Sequence, residues 1–403
     1  MILNNHILGA IILLMKTTST SIIAYVGNGV VKGSLVLHEK GKKPIVLSAR
    51  KSDLKYNPER DRAQLEALIL AEFETLLKTI KTEDFPKLHN AKCGKPDTAL
   101  VVMSSPWYLS ETKTIKMQEA TPFLVTEKLI DKATSNIVKA YTGEKDNVTV
   151  LEQNFLSVVV NGYNVINPIG KKVKDININV FTSYARTESV KKIENIISSN
   201  FHLNNIHIHS QSLVSFSAIG DLYPNIKDYT VIDITSALTE VLIIKENILR
   251  DTGSFPYGKY FVMENMAKIM GCAEDMAESL IDAYLNNKLD EVTRQKVSEV
   301  LKMIEKEWLG GFSTVLKQIT SNGLLPKDFY LFAQSDVAKI FKQFVENEEY
   351  NQFALTEGKF EVKIIEVADM FPLCEVDKEA NINQDLDAAM IAGTLFNNKK
   401  LFA

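Results

Sequence analysis

Residues 230–245 read TVIDITSALTEVLIIK, which predicts a strand, a tight turn and a second strand. A hairpin of the same kind, SIIAYVGNGVVKGSLVL, occupies residues 21–37. Helical periodicity follows each hairpin, over residues 57–82 after the first and over residues 260–316 after the second. Two hairpin-plus-helix units about 200 residues apart predict a two-lobed α/β fold with a cleft between the lobes.

The rest of the chain alternates between strand and helix patterns, as expected for an α/β protein. Residues 175–181 alternate cleanly, with Ile176, Ile178 and Val180 on one side. The remaining predicted strands are residues 44–48, 98–103, 148–161, 206–208, 328–332 and 360–365, and the remaining predicted helices are residues 125–141, 187–199, 210–220 and 386–396.

Composition limits the kinds of partner. The chain has 403 residues, with 46 basic and 50 acidic side chains and a net charge of −4. This balance argues against nucleic-acid binding, which needs a basic excess or a basic face. Its three cysteines, Cys93, Cys272 and Cys374, are far apart in sequence, so no disulfide framework or zinc spacing is present. A reducing, cytoplasmic compartment is therefore expected.

The N-terminus contains a nine-residue apolar run, ILGAIILLM, at residues 7–15. This run is too short to cross a bilayer, which needs about 20 residues, and no basic segment of a signal peptide precedes it. Three interpretations remain open: translation that begins at Met15, a packed extension, and a short helix on a membrane surface. No other stretch has a transmembrane pattern.

The turns of the two hairpins are the candidate binding elements. In a two-lobed fold each turn can offer backbone N–H groups to a phosphate chain, and glycine lets the backbone approach it closely. The candidate residues are Gly27, Asn28 and Gly29 in the first turn and Asp233 and Thr235 in the second. Asp233 is also the candidate magnesium ligand. The alternative is that Asp233 caps nearby N–H groups at the end of its strand. No catalytic residue is assigned.

His207 and His209 are two residues apart on a predicted strand, a spacing that could ligate zinc. No third ligand is apparent near them in the sequence. Surface or interface histidines are the favoured interpretation.

Residues 150–267 resemble the bacterial cell-division protein family FtsA. The resemblance rests on the strand at Val150–Phe155, the turn Asn167-Pro168-Ile169-Gly170, the strand to Thr182, the hairpin strand before Thr235, and Ser254-Phe255-Pro256-Tyr257-Gly258. The pilus assembly family PilM shares this architecture. The resemblance implies an actin-like, ribonuclease H-like fold of the actin-like ATPase superfamily with an inserted SHS2-like α+β subdomain. The implied domains are an extension at 1–15, a first lobe at 16–104 and 183–228, the inserted subdomain at 105–182, a second lobe at 229–365, and a C-terminal segment at 366–403 that returns to the first lobe.

The sequence departs from the family pattern at all three nucleotide elements. Tyr25 stands where the first hairpin normally has an acidic residue. Thr235-Ser236-Ala237-Leu238 replaces the glycines of the second turn, and Ala333-Gln334-Ser335-Asp336 replaces the glycine-rich adenosine loop. Side chains at those positions would crowd a phosphate. ATP with magnesium is therefore expected to bind weakly or not at all.

The resemblance implies a scaffold that recruits or organises components of the division or type IV pilus machinery at the inner face of the membrane. Its inserted subdomain is the expected contact surface for partners and for self-association. The short segment after the last predicted helix fits the PilM pattern, in which the membrane is reached through a partner, better than the FtsA pattern. The alternatives are a polymerising actin-like ATPase of cell division and a sugar or acid kinase.

Overall fold

The computed structural model describes residues 17–54, 61–88, 93–142, 147–165, 167–319, 325–347, 360–377, 382 and 385–402. The apolar run at residues 7–15 lies outside this range, as do residues 57–60 of the first predicted helix. Among the described residues, none of the helices is both long and apolar enough to cross a membrane. The strands are β1 (Thr18–Val26), β2 (Val30–Glu39), β3 (Ile45–Asp53), β4 (Thr98–Met103), β5 (Tyr108–Leu124), β6 (Val148–Val160), β7 (Tyr163–Asn164), β8 (Lys172–Arg186), β9 (Ile206–Ser210), β10 (Tyr229–Ile234), β11 (Thr239–Lys245), β12 (Ile248–Phe255), β13 (Asp328–Phe332), β14 (Glu361–Ile364) and β15 (Glu375–Val376).

The helices lie between these strands, and those at Ser335–Asn347 and Val367–Met370 are not among the helices predicted from the sequence. A π-helical turn (Ile80–Asp84) and a 3-10 turn (Phe85–Leu88) extend the first of them. The helices are α1 (Arg62–Thr79), α2 (Glu127–Thr142), α3 (Thr187–Phe201), α4 (Gln211–Leu222), α5 (Lys259–Met270), α6 (Glu274–Leu285), α7 (Glu291–Ile319), α8 (Ser335–Asn347), α9 (Val367–Met370) and α10 (Ala388–Phe402).

The first lobe is built on a six-stranded sheet of order β15-β3-β2-β1-β4-β9. β1, β2 and β3 form an antiparallel meander, and β4 runs parallel to β1. Because side chains alternate along a strand, β1 supplies two cores. Ile22 packs with α1 and α3 on one face, whereas Ile23 packs with α4 and α10 on the other. The C-terminal helix therefore covers one face of the first sheet.

The second lobe repeats this topology in a five-stranded sheet of order β12-β11-β10-β13-β14. Its first three strands are antiparallel, and β13 and β14 run parallel to β10. Trp308 on α7 is fully buried at the centre of its helical layer. The two hairpin-plus-helix units of the sequence are therefore two lobes of one architecture, and the predicted two-lobed α/β fold is confirmed.

Between β4 and α3 the chain forms a separate four-stranded antiparallel sheet of order β5-β8-β6-β7, with α2 against one face. A small core that includes Val125, Ile176 and Ile178 joins them. Sequence periodicity did not reveal β5, a 17-residue strand, because its exposed edge carries mostly polar and charged residues. Strand β8 is also longer than the predicted strand at residues 175–181.

Candidate functional site

The turns of the two hairpins face each other across the cleft between the lobes. In the first turn the N–H of Gly27 donates to the carbonyl of Val30, at 2.9 Å. Gly29 is packed so closely against the second lobe that a Cβ there would overlap Tyr260 Oη and would lie 2.6 Å from Ser236 Cβ. Glycine is therefore required at position 29 for close approach. The approaching group is the other turn of this chain.

The second turn is closed by its own side chains. Thr235 Oγ1 donates to the carbonyl of Leu238 at 2.9 Å and accepts from the Leu238 N–H at 3.0 Å. The first N–H groups of α5 donate to the same turn, from Lys259 to the Thr235 carbonyl and from Tyr260 to the Ser236 carbonyl. A helix N-terminus can bind phosphate only through N–H groups that lack partners. In this protein, two of the N–H groups at the start of α5 already donate to carbonyl groups of the second turn.

Two buried carboxylates lie side by side at the base of the second turn. Asp233 on β10 pairs in register with Glu240 on β11, and both side chains are buried. The pKa of Asp233 is raised to about 8, chiefly by burial and then by the charges of Glu240 and Asp387, against the opposing effect of Lys32. Asp233 Oδ2 is buried without a hydrogen-bond partner in the described structure. This oxygen therefore does not support the alternative that Asp233 caps nearby N–H groups at the end of its strand.

Glu240 connects this pair to the base of the inserted subdomain. Tyr108 Oη donates to Glu240 Oε2 at 2.6 Å, and Ser105 and Ser110 contact the same carboxylate at 3.4 Å. Burial raises the pKa of Glu240, and the Tyr108 hydrogen bond opposes that rise. The carboxylate beside Asp233 is thus held by residues that precede and begin β5.

Tyr25 occupies the position where the sequence lacks the expected acid. It is buried and pairs in register with Lys32, whose Nζ lies 4.2 Å from the centroid of the Tyr25 ring. Lys32 also forms an ion pair with Asp387, which precedes α10. Burial raises the pKa of Tyr25 well above its usual value, so this side chain is neutral and supplies no charge for a metal ion.

The third element, residues 333–336, is held by Lys259 at the start of α5. Lys259 Nζ forms an ion pair with Asp336 and contacts Gln334 Oε1 at 3.3 Å and Glu278 Oε1 at 3.1 Å. Burial alone would lower the pKa of Lys259, but the carboxylates of Asp336 and Glu278 together outweigh burial and raise it. Residues 333–336 are therefore fixed to the second lobe by charge, in a segment without glycine.

A cavity of about 630 Å³ lies between these elements, within the 300–1,000 Å³ range of small-molecule sites. It brings together four of the five residues that the sequence predicts. Gly29 is the exception, because it lies behind the cavity wall against Ser236. The wall includes Gly27, Asn28, Lys32, Asp233, Thr235, Ser236, Phe332, Ala333, Gln334, Ile365, Phe371, Leu386 and Asp387.

Two features of the described cleft bear on the fit of a triphosphate with magnesium. The gap between the turns is occupied by the packing of Gly29 on Ser236, and the α5 N–H groups already have acceptors. Within the described ranges, no three His, Cys, Asp or Glu side chains are grouped to hold a metal ion. Asp233 would supply a single protein ligand, and phosphates and water would complete the octahedral oxygen coordination that magnesium needs.

His209 is a buried structural residue. Its Nδ1 lies 3.0 Å from Glu152 Oε2, and Glu152 also accepts hydrogen bonds from Ser183 and Ser210. His207 is exposed on the same strand. Because Glu152 belongs to β6, the pair ties the inserted subdomain to the first lobe. His209 is therefore an interface histidine, as the favoured interpretation of the sequence has it.

A second groove, of about 500 Å³, lies where the inserted subdomain meets the first lobe. Its wall is mostly apolar, and the Leu109 side chain at its edge is 60% exposed. Trp107 Nε1 is buried there and has no hydrogen-bond partner among the described residues. The other lining residues are Asn28, Arg62, Leu65, Glu66, Ile69, Pro106, Tyr108, Val148, Tyr184, Ala185, Arg186 and Ser189.

Sequence reasoning missed Lys32, Glu240 and Glu152. Lys32 and Glu240 are charged residues on strands whose neighbours are largely buried, whereas Glu152 is buried on a strand that is otherwise mostly half-buried. A charged residue within an apolar strand could have identified such positions, because a buried charge requires a partner.

Two equivalent lobes, a hairpin turn from each at the cleft, and an insertion in the first lobe define the actin-like ATPase fold. No protein-family model and no curated protein sequence matches this chain. Among solved structures, a chain of the PilM–PilN type IV pilus biogenesis complex is similar at a TM-score of 0.62 and 13% identity, covering 95% of this chain and 97% of that one. At this identity the similarity shows the fold alone.

Two further structures are similar at lower scores. A Bacteroides thetaiotaomicron protein with an actin-like ATPase fold has a TM-score of 0.42 and 10% identity, with 89% of this chain and 93% of that chain covered. MreB 5 of Spiroplasma citri bound to AMPPNP has a TM-score of 0.40 and 10% identity, with 95% and 97% covered.

Proposed function

We propose that this protein is a scaffold that binds a partner protein and does not hydrolyse ATP. The observation that carries the proposal is the contact between the two hairpin turns, where Gly29 packs directly on Ser236 and Tyr260. Phosphate-binding turns must leave room for the phosphates between them. Here that space is occupied by the packing of Gly29 on Ser236.

We place the partner in the groove between the inserted subdomain and the first lobe. A mostly apolar wall suits a short peptide that brings apolar side chains. The PilM–PilN structure is a complex of two pilus biogenesis proteins. By analogy, the partner proposed here is a component of pilus or cell-division machinery, and the protein acts in the cytoplasm at the inner face of the membrane. We also propose the domain boundaries that the sequence implies, with the inserted subdomain at residues 105–182.

The groove can be tested with a matched pair of substitutions on β5. Leu109 and Leu124 stand near opposite ends of this strand, and both are exposed, so aspartate at either position should leave the fold intact. We expect the protein to capture one defined partner from a membrane extract of its source, equally with and without ATP. Leu109→Asp should abolish that capture and Leu124→Asp should keep it. Equal capture by both variants would refute the groove assignment.

The second candidate function is a nucleotide-controlled, polymerising ATPase. It is favoured by the cavity itself, which gathers Gly27, Asn28, Asp233 and Thr235 around the buried cation of Lys32. It requires the two turns to separate when ATP binds. Nucleotide binding measured directly distinguishes it from the scaffold.

A further inference from the structure

The base of the inserted subdomain lies between the groove and the cleft. Residues 105–110, which we name the base segment, lead from β4 into β5. The segment contributes four consecutive residues to the groove wall, Pro106, Trp107, Tyr108 and Leu109. The Tyr108 side chain is buried, and its hydroxyl donates to Glu240 Oε2 at 2.6 Å. One tyrosine therefore joins the wall of the groove to a carboxylate of the second lobe.

Glu240 is the second lobe's side of this contact. It lies on β11 and pairs in register with Asp233, which lines the cavity of the cleft. Ser105 and Ser110 of the base segment contact the same carboxylate at 3.4 Å. A buried carboxylate that loses its donors costs free energy, so the base segment and β11 are expected to move together.

The first lobe fixes the same hydroxyl group. Tyr108 Oη accepts a hydrogen bond from the N–H of Ser212 at 3.1 Å and lies 2.7 Å from Ser212 Oγ, in the first turn of α4. Because the hydroxyl is held from both lobes, the position of the Tyr108 ring in the groove wall depends on where Glu240 lies.

Further contacts run along the same boundary between the lobes. Thr252 Oγ1 donates to the carbonyl of Ser110 at 3.3 Å, and Thr112 Oγ1 donates to the carbonyl of Leu249 at 3.3 Å. Because β12 is the edge strand of the second sheet, the first part of β5 lies along that edge. Asn28 of the first hairpin turn lines both the groove and the cavity of the cleft. A change in the separation of the lobes therefore acts on the groove wall.

We infer that the groove and the cleft are coupled through Tyr108 and Glu240, so that closure of the lobes holds the groove wall in place. An occupant of the groove favours closure in return, because coupling between two sites is reciprocal. The two arrangements that both sites bias are the lobes in contact and the lobes apart. The inference rests on the proposed function in taking the groove as the partner's site. It adds a form of regulation, since whatever opens the cleft weakens binding of the partner.

Hydrogen exchange of the full-length chain, measured by mass spectrometry, tests the coupling from the side of the cleft. The Ser236 side chain points at Gly29, where a Cβ would lie 2.3 Å from Ser236 Oγ, so Ser236→Leu should push the two turns apart. Ser236 does not line the groove. Exchange of the amides of residues 107–110 should nevertheless become faster by on the order of tenfold. Ser279→Leu, the same change at an exposed position on α6, should leave it unchanged.

A matched pair of tyrosine variants tests the link itself. Tyr108→Phe removes the hydroxyl that reaches Glu240, whereas Tyr184→Phe removes one from another groove residue that donates to Glu111 within the inserted subdomain. Ser236→Leu should add little to the exchange of residues 107–110 when combined with Tyr108→Phe, and should keep its full effect when combined with Tyr184→Phe. Thermal unfolding shows that each variant is folded. If Ser236→Leu does not fold, Gly29→Ala separates the same two turns from the other lobe.

Two results would overturn the inference. The first is exchange of the base segment that does not respond to Ser236→Leu, and the second is an equal response in the two tyrosine backgrounds. The proposed function is judged separately, by partner capture with Leu109→Asp and Leu124→Asp. Capture that depends on the groove, without any response in exchange, would keep the scaffold proposal and refute the coupling. A response in exchange with equal capture by both variants would keep the coupling and refute the groove as the partner's site.

Discussion

Asp233 lies directly opposite Glu240 on the adjacent antiparallel strand, and both carboxylates are buried at the floor of the cleft. Two like charges in a buried position cannot both ionise without cost. Glu240 has hydrogen-bond donors in Tyr108, Ser105 and Ser110, whereas Asp233 Oδ2 has none among the described residues. Asp233 is therefore the member of the pair that retains its proton.

This arrangement predicts a pH-dependent stability. The folded pKa of Asp233 is about 8, above its ordinary value of 3.8. Folding therefore favours the protonated form, and its contribution is complete below about pH 4 and is lost as pH rises through 8. Asp233→Asn should raise the free energy of unfolding at about pH 8.5 by on the order of a few kcal/mol and change it little below about pH 4.

The measurement for this prediction is urea unfolding at several pH values between those limits. Asp328→Asn, at an exposed position on β13, is the control and should follow the wild type throughout. A loss of stability in Asp233→Asn at pH 8.5 would show that the Asp233 carboxylate has an attractive partner in the folded protein.

The contact between the turns predicts that Gly29 tolerates no side chain. A Cβ at position 29 would overlap Tyr260 Oη and crowd Ser236, so Gly29→Ala should destabilise the protein by about 1–3 kcal/mol. Gly310 on α7 has open space around it, and Gly310→Ala should stabilise the protein by up to about 1 kcal/mol. Combining Gly29→Ala with Ser236→Gly and Tyr260→Phe should recover most of the loss, as measured by chemical unfolding. If the triple variant were as unstable as Gly29→Ala alone, the loss of stability would not come from contacts with Ser236 and Tyr260.

The buried pair of Glu152 and His209 predicts that the inserted subdomain is anchored to the first lobe through β6. Glu152→Gln retains the shape and removes the charge that His209 and the two serines contact. We expect a loss of about 1–3 kcal/mol in the free energy of unfolding and faster proteolysis between β4 and α3. Glu307→Gln, at an exposed position on α7, should change neither. Unchanged proteolysis in Glu152→Gln would mean that other contacts hold the insertion.

Sequence reasoning reached the architecture because each lobe begins with a hairpin whose strands are nearly all buried, and a continuous apolar run bounded by a turn is a strong local signal. It also placed Gly27, Asn28, Asp233 and Thr235 together, and the cavity contains all four. The contact of Gly29 with Tyr260 could not be predicted, because it joins residues 231 positions apart through the closure of two lobes. Strand β5 was missed because its polar edge carries no apolar periodicity.

The most direct test of the scaffold proposal is calorimetric titration of the purified protein with Mg-ATP, with Asp233→Ala measured alongside. The proposal predicts no saturable heat at millimolar ATP, no thermal stabilisation and no phosphate release. A ligand at 100 times its dissociation constant would raise the free energy of unfolding by about 2.7 kcal/mol, a readily visible shift. Saturable ATP binding that Asp233→Ala abolishes would contradict the proposal and would establish the cleft as a nucleotide site.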